Sequence, residues 1–349
     1  YKVNMKVDFP TSINIINNEF FDKEKTHDYT DIITGELFII CGPGFSFDIA
    51  KKLIIKANLN PKEIVIVHNN SVEELNKLEP QLSSKECTIL GVGGGKVCDF
   101  SKRLAYVTEN NLILFPTVVS NDGLISPIAV LSRDGKTYSL PGKMPEHVFI
   151  DLEVIKKAPK KYIIAAALDL LSNISATSDW EYAEEHGQTN MHYLAYQFSR
   201  IAAFQLLDCV SWEVDSPEFL RAVIHGQILS AMAMAYAGSS RPCSGSEHLI
   251  SHALDELGIS TNLLHGEKVG RATLFSLYLQ NKSNKKIISL FKHFMIKECL
   301  TDENLADDKL VEVFSCARKT RPGRKTIIDD FTDNELLLKY REFERTMRR

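Results

Sequence analysis

Short runs of β-branched and aromatic residues recur along the first 150 positions, at 36–40, 63–67, 87–90 and 111–115. Between them lie stretches such as 71–78, where apolar residues return every three or four positions. Nearly continuous apolar strands, most closely followed by Gly, Asn or Pro, suit a parallel sheet covered by helices on both faces, since neither side of such a strand meets water. The pattern predicts an α/β N-terminal domain with a parallel Rossmann-like sheet, whose ligands sit at the carboxyl ends of the strands. Beyond Pro159 the period changes, and residues 162–182, 193–208, 219–237 and 247–257 all read at helical spacing. An all-α C-terminal domain is expected, joined through the lysine-containing, proline-ended segment 151–159. The boundaries read as 1–157 and 158–349, with the active site in the cleft between the domains.

Composition narrows the class without changing that picture. The chain has 349 residues, more than one average core requires, with 44% hydrophobic and 25% charged residues. A formal charge of -4 provides no overall positive field for nucleic acid. Seven cysteines lie scattered without a CxxC pair and read as reduced thiols. No apolar run reaches membrane-spanning length, and the first residues lack the layout of a signal peptide, so a cytoplasmic protein without membrane insertion is expected; a homo-oligomer is a separate expectation.

Two groups of residues carry chemistry. Gly93-Gly94-Gly95-Lys96 follows a strand and opens a helical stretch, a setting in which main-chain N–H groups approach a pyrophosphate at a helix start. A purely structural turn uses glycine as well, and the spacing differs from the usual dinucleotide fingerprint. The next strand runs into Pro116-Thr117 and on to Ser120-Asn121-Asp122-Gly123, placing Thr117 and Ser120 where they can clasp a cofactor. The second group is helical. His248 and His252 are four apart and share a helix face, and His265 follows in His265-Gly266-Glu267. Such histidines suit a metal, or a satisfied core. Asp169 lies inside the apolar stretch 163–171, where it is either buried with a partner or turned to water on an amphipathic helix.

Taken in order, these segments resemble the superfamily of iron-dependent alcohol dehydrogenases, glycerol dehydrogenase and dehydroquinate synthase, and most closely its sn-glycerol-1-phosphate dehydrogenase branch. The resemblance covers roughly residues 40–330. It rests on Cys41-Gly42-Pro43-Gly44, Gly93 to Asp99, Pro116 to Gly123, Asp169-Leu170-Leu171-Ser172-Asn173, Gly238 to His248, Ser251-His252-Ala253-Leu254-Asp255, His265-Gly266-Glu267 and Arg321-Pro322-Gly323-Arg324-Lys325-Thr326. It implies the dehydroquinate synthase-like fold and NAD or NADP as cofactor. Carried over residue by residue, Asp169, His248 and His265 hold a metal, and Asp122 and His252 lie at the substrate as catalytic residues with Asp169. Gly94, Gly95, Asp99, Thr117, Ser120 and Ser126 border the cofactor, beside Gly93 and Lys96 of the same turn.

The sequence departs from the family pattern at Leu168, where glycine is usual, at Asn121, where histidine is common, and at Asn173, where the iron enzymes place another histidine. The last makes zinc the better match, with ferrous iron or nickel as alternatives. The implied reaction is the NAD(P)-dependent interconversion of sn-glycerol 1-phosphate and dihydroxyacetone phosphate. Glycerol dehydrogenation, a dehydroquinate synthase-like cyclisation, or metal and nucleotide binding without turnover are the competing readings. A phosphorylated substrate calls for cations, of which Arg241, just ahead of the histidine helix, leads over Lys143 and Arg324.

Overall fold

The computed structural model describes residues 8–17, 30–83, 86–119 and 122–347, excluding the side chains of Thr30 and Asp122. These residues fall into two compact units, one within Tyr1–Val119 and Gly123–Lys160, the other within Ser120–Asp122 and Lys161–Arg349.

The first unit is built on a six-stranded, wholly parallel sheet. Its strands are β1 (Ser12–Ile16), β2 (Glu36–Cys41), β3 (Glu63–Ile66), β4 (Cys87–Gly93), β5 (Asn111–Pro116) and β8 (His147–Asp151), in the order β1-β8-β5-β4-β2-β3. Helices α1 (Phe45–Lys56), α2 (Val72–Leu82) and α3 (Gly95–Thr108) supply the crossovers. Every residue of β4 is buried, as expected for a central strand covered on both faces. One apolar cluster gathers Phe38, Ile40, Ile89, Leu112 and Leu114 with α2 and α3. Another gathers Leu37, Ile39, Leu90, Ile113 and Phe115 with α1. Alternate residues of one strand therefore feed opposite layers, which is the period-two geometry of a strand.

Two features of this unit exceed the reading from sequence. β1 and β8 extend the sheet beyond the four expected strands. An antiparallel hairpin, β6 (Ile128–Arg133) with β7 (Lys136–Pro141), stands apart from the sheet. Asp134 and Gly135 turn it with φ of 50° and 73°, the backbone that an Asp-Gly hairpin turn demands. The short helix α4 (Leu152–Lys156) follows β8.

In the second unit the described elements are helical, as expected: α5 (Lys160–Glu185), α6 (Tyr193–Leu207), α7 (Pro217–Ala237), α8 (Ser246–Glu256), α9 (His265–Leu279), α10 (Lys285–His293), α11 (Asp307–Thr320) and α12 (Asp333–Met347). The 26-residue α5 is buried almost continuously from Ala165 to Trp180 rather than along one stripe. Its small and hydroxyl residues permit this, because Ser172, Thr177 and Ser178 satisfy their own buried hydroxyls on carbonyls three or four positions back. Ser216 caps α7 by accepting the Phe219 N–H, Pro217 occupies its first turn, and Gly238 ends it at φ 62°. Among the described residues, no helix is long and apolar enough to cross a membrane.

Candidate metal centre and nucleotide turn

Asp169 is 6% exposed, so the reading in which it faces water on an amphipathic helix is excluded. Its Oδ1 lies 3.7 Å from His248 Nε2 and 3.9 Å from His265 Nε2. One ligand atom from each of the three residues falls within 4.8 Å of the others. His252 is one helical turn beyond His248, and its ring centroid is 6.1 Å from those of both His248 and His265, so it borders the trio without joining it.

Helix packing sets this geometry. A Cβ on Gly266 would collide with the main-chain carbonyl of Ala165, and one on Gly270 would lie 2.7 Å from the Leu168 Cβ. These two glycines, four apart on α9, let that helix settle against α5 and bring His265, its first residue, to Asp169. The leucine that departs from the family pattern at 168 is thus accommodated by a glycine across the helix interface. On the other side, a Cβ on Gly245 would meet Asp179 Oδ2 at 2.5 Å and the Ala176 Cα at 2.9 Å, so glycine lets the start of α8 rest on α5.

Buried carboxylates orient the histidine helix. Glu247 Oε1 lies 3.0 Å from His248 Nδ1 and accepts the Gly245 N–H at 2.6 Å, while Oε2 accepts the Ser175 hydroxyl at 2.7 Å. Nδ1 thus engages a carboxylate and Nε2 faces Asp169, the arrangement usual for metal-binding histidines. Asp179 Oδ2 accepts the Ser246 N–H at 2.6 Å, and Oδ1 accepts the Ile327 N–H at 2.9 Å. Two acidic groups at the start of α8 also complement its dipole. Burial, reinforced by the Glu247 charge, pushes the Asp179 carboxyl up to about 6.

The histidines are held neutral. Burial, helped by Arg321 and Arg324, pushes His248 down to about 3. Burial together with His248 and Arg321 takes His252 to about 4, and His265 is driven well below its ordinary value by burial and its two histidine neighbours. One carboxylate and two neutral imidazoles fit a divalent transition-metal ion with open positions for substrate. The amide nitrogen of Asn173 donates to Ser199 O at 3.1 Å and to Ser230 Oγ at 2.8 Å, which fixes the side chain between α6 and α7.

Basic groups gather beside the trio, in a composition that the sequence reading missed in part. The guanidinium of Arg241 donates to the Lys325 carbonyl at 3.1 Å. Arg321, absent from the candidates above, lies 3.5 Å from His252 Nε2. Arg321 and Arg324 both donate to Ser240 Oγ, at 2.5 and 3.0 Å. Lys143 belongs to the other unit, where it pairs with Glu146 at 2.7 Å and donates to the Asn110 carbonyl at 2.7 Å.

In the first unit the glycine turn joins β4 to α3, with Gly94 at the N-cap and no side chain capping the helix. Of its first N–H groups, that of Val97 turns back to the Gly94 carbonyl at 2.9 Å, and a helix start without a side-chain cap suits an anionic ligand. A Cβ on Gly93 would strike Val97 and one on Gly91 would strike Ser101, so these two glycines bring α3 against the sheet. Gly94 has room, its nearest neighbour being Val118 at 3.7 Å. Gly95 and Lys96 open α3. The buried Thr117 donates its N–H to the Gly93 carbonyl, and its hydroxyl lies 3.4 Å from Ser46 Oγ. Asp99 and Ser126 cluster elsewhere, around the fully buried Lys102. That ammonium pairs with Asp99 at 2.8 Å, donates to the carbonyls of Gly123 and Ile128, and lies 3.5 Å from Ser126 Oγ. Ser120 and Asn121 lie outside the described residues, as does the side chain of Asp122.

Residues 29–159 match the family model described as iron-containing alcohol dehydrogenase. Over 302 residues the chain is 35% identical to glycerol-1-phosphate dehydrogenase (NAD(P)+) of Thermoplasma volcanium, covering 85% of each chain. It is 31% identical over 327 residues to the protein of the same name from Sulfurisphaera tokodaii, covering 93% of each. Its fold is that of glycerol dehydrogenase from Schizosaccharomyces pombe, with a TM-score of 0.77 at 19% identity over 99% of this chain and 92% of that one. With the ordered motifs, the metal trio and relatives aligned over most of its length, the chain belongs to the glycerol-1-phosphate dehydrogenase family.

Proposed function

We propose that this protein interconverts sn-glycerol 1-phosphate and dihydroxyacetone phosphate, using NAD or NADP and a divalent metal, with zinc the preferred ion. The observation that carries this reading is the trio of Asp169, His248 and His265, the first two buried and the third partly so, whose ligand atoms lie within 4.8 Å of one another in a chain of this family. When bound there, the metal supplies a Lewis acid for the alcohol or carbonyl oxygen of the substrate. The nicotinamide is the hydride carrier.

The remaining roles fall to the chain's own groups. The open start of α3, with Gly93, Gly94, Gly95 and Lys96, receives the pyrophosphate, and Thr117 and Ser120 close around the cofactor. Asp99 and Ser126 contribute by holding Lys102, and through it the segment 123–128. Neutral His252, beside the trio but outside it, is placed to orient the substrate and to hold or pass the proton exchanged with the alcohol oxygen. Asp122 serves as its partner at the substrate.

Steady-state rates with dihydroxyacetone phosphate, dihydroxyacetone and glycerol, each with NADH or NADPH or the oxidised forms, test the reaction. The expected result is a strong preference for the phosphorylated substrate. Equal or greater efficiency with dihydroxyacetone would refute it. Metal analysis of His265→Ala tests the ligand set, and stoichiometric metal in that variant would show the set to be wrong.

A further inference from the structure

The segment after α11 brings two arginines together by a local rule. In Arg321-Pro322-Gly323-Arg324, the Arg324 N–H donates to the Arg321 carbonyl at 3.2 Å, and Gly323 has a φ of 78°. Proline second, a left-handed glycine third and a first-to-fourth hydrogen bond are the marks of a type II turn. Such a turn places its first and last residues side by side. Helix α11 packs along α8, so the turn is delivered to the histidine helix, where Arg321 reaches His252 and Arg324 reaches the Ser244 carbonyl at 2.7 Å.

The two cations share one neutral acceptor. Ser240 Oγ accepts from both guanidiniums, which occupies its lone pairs and leaves its proton to donate. The partners of Arg324 are a carbonyl and that hydroxyl, and none of the carboxylates of the described residues forms an ion pair with it. Burial, with Arg321 and Arg241 nearby, lowers the Arg324 pKa to about 10. A group of charges held at this cost, with planar forks and a spare hydroxyl proton, matches a tetrahedral dianion.

We propose that Arg321 and Arg324, with the hydroxyl of Ser240 between them, form the subsite for the substrate's phosphomonoester. Arg241 supports the turn by holding the Lys325 carbonyl and does not bind the phosphate itself. The assignment rests on the reaction proposed above. It places the phosphate beside His252, a few bonds from the metal trio, which suits a three-carbon substrate.

The test compares the full-length, metal-loaded wild type with Arg321→Met, Arg321→Lys, Arg324→Met and Arg241→Met. KM and kcat are measured with dihydroxyacetone phosphate and with dihydroxyacetone, and binding of inorganic phosphate by calorimetry. Loss of a hydrogen bond to a charged group is expected to raise KM for the phosphorylated substrate about 10- to 100-fold. Efficiency with dihydroxyacetone should fall by less than efficiency with the phosphorylated substrate, even in the Arg321 variants, where the contact with His252 is lost as well, whereas equal losses with both substrates would overturn the subsite. Arg321→Lys retains the charge and should recover only part of the loss. The wild type should bind inorganic phosphate competitively with dihydroxyacetone phosphate, and Arg321→Met should not. A wild type that binds phosphate without reducing dihydroxyacetone phosphate would count against the reaction and not the subsite. Unchanged KM and phosphate binding in the Arg321 and Arg324 variants would overturn the subsite, as would a larger loss in Arg241→Met.

Discussion

Glu247 Oε1 lies 3.0 Å from His248 Nδ1, and the other oxygen of the same carboxylate is held by Ser175, six residues beyond Asp169 on α5. One helix therefore supplies the carboxylate of the candidate metal trio and also fixes the carboxylate that orients one of its histidines. Glu247→Gln preserves size but removes the anion, and should weaken zinc affinity about 10- to 100-fold. Chelator competition measures this. Ser175→Ala should give a smaller loss in the same direction, and wild-type affinity in both variants would show that His248 needs no such support.

The approach of α9 to α5 depends on a missing side chain at Gly266, directly over the Ala165 carbonyl. In Gly266→Ala the helices must separate, at a cost of about 1–3 kcal/mol. His265 moves with α9, so the thermal midpoint and the metal content should fall together. A variant with wild-type metal content would mean that the contact does not set the ligand geometry.

Asp179 bridges two main-chain N–H groups, one opening the histidine helix and one following the arginine turn. Asparagine has a single carbonyl oxygen and cannot accept both in the same way. Asp179→Asn should leave one buried N–H unpaired and lower stability by about 1–3 kcal/mol, read by chemical denaturation. If the subsite assignment is right, KM for dihydroxyacetone phosphate should also rise. A stable variant with an unaltered KM would contradict the bridge.

Acid should unfold the metal-free protein early. His248 and His252 are pushed by burial to about 3 and about 4, from an ordinary value near 6.5, so the unfolded chain takes up protons that the folded chain refuses. Their stabilisation is complete above pH 6.5 and is lost as the pH falls toward those values, at about 1.4 kcal/mol per pH unit for each group. Asp179 has the opposite sign, since its carboxyl is raised to about 6 and binds a proton in the folded state first, offsetting part of the loss between about pH 6 and 4. Denaturation midpoints in chelator should fall from pH 7 to pH 5, and a flat profile would contradict the buried neutral histidines.

Patterns that depend on local geometry were readable along the chain. The apolar strands after residue 35 and the change to helical spacing after Pro159 are consequences of burial on both faces and of helix period, and both reappear in the fold. The hairpin was equally accessible, since Asp134-Gly135 is a strong turn signal, yet its strands carry exposed positions that blur the apolar pattern. The histidine spacing identified a face but could not separate His248 from His252. That distinction comes from Asp169, contributed by a helix some eighty residues earlier. Glu247 stands in the sequence as one more acid at a helix start, and nothing in its neighbours announces the Ser175 hydroxyl. Lys102 and Arg321 were overlooked for a related reason, because a long cationic side chain is usually solvated and only tertiary packing reveals that it is enclosed.

Helix α5 carries Asp169, Ser175 and Asp179 within eleven residues, each aimed at a different partner. An α-helix turns about 100° and rises about 1.5 Å per residue. Adding or deleting one residue between the first and last of these would swing them out of phase by more than a quarter turn, detaching the metal trio from the start of α8 and from the arginine turn. The number of residues in this interval is thus part of the site's specification, and insertions here should be harder to accommodate than in the surface loops.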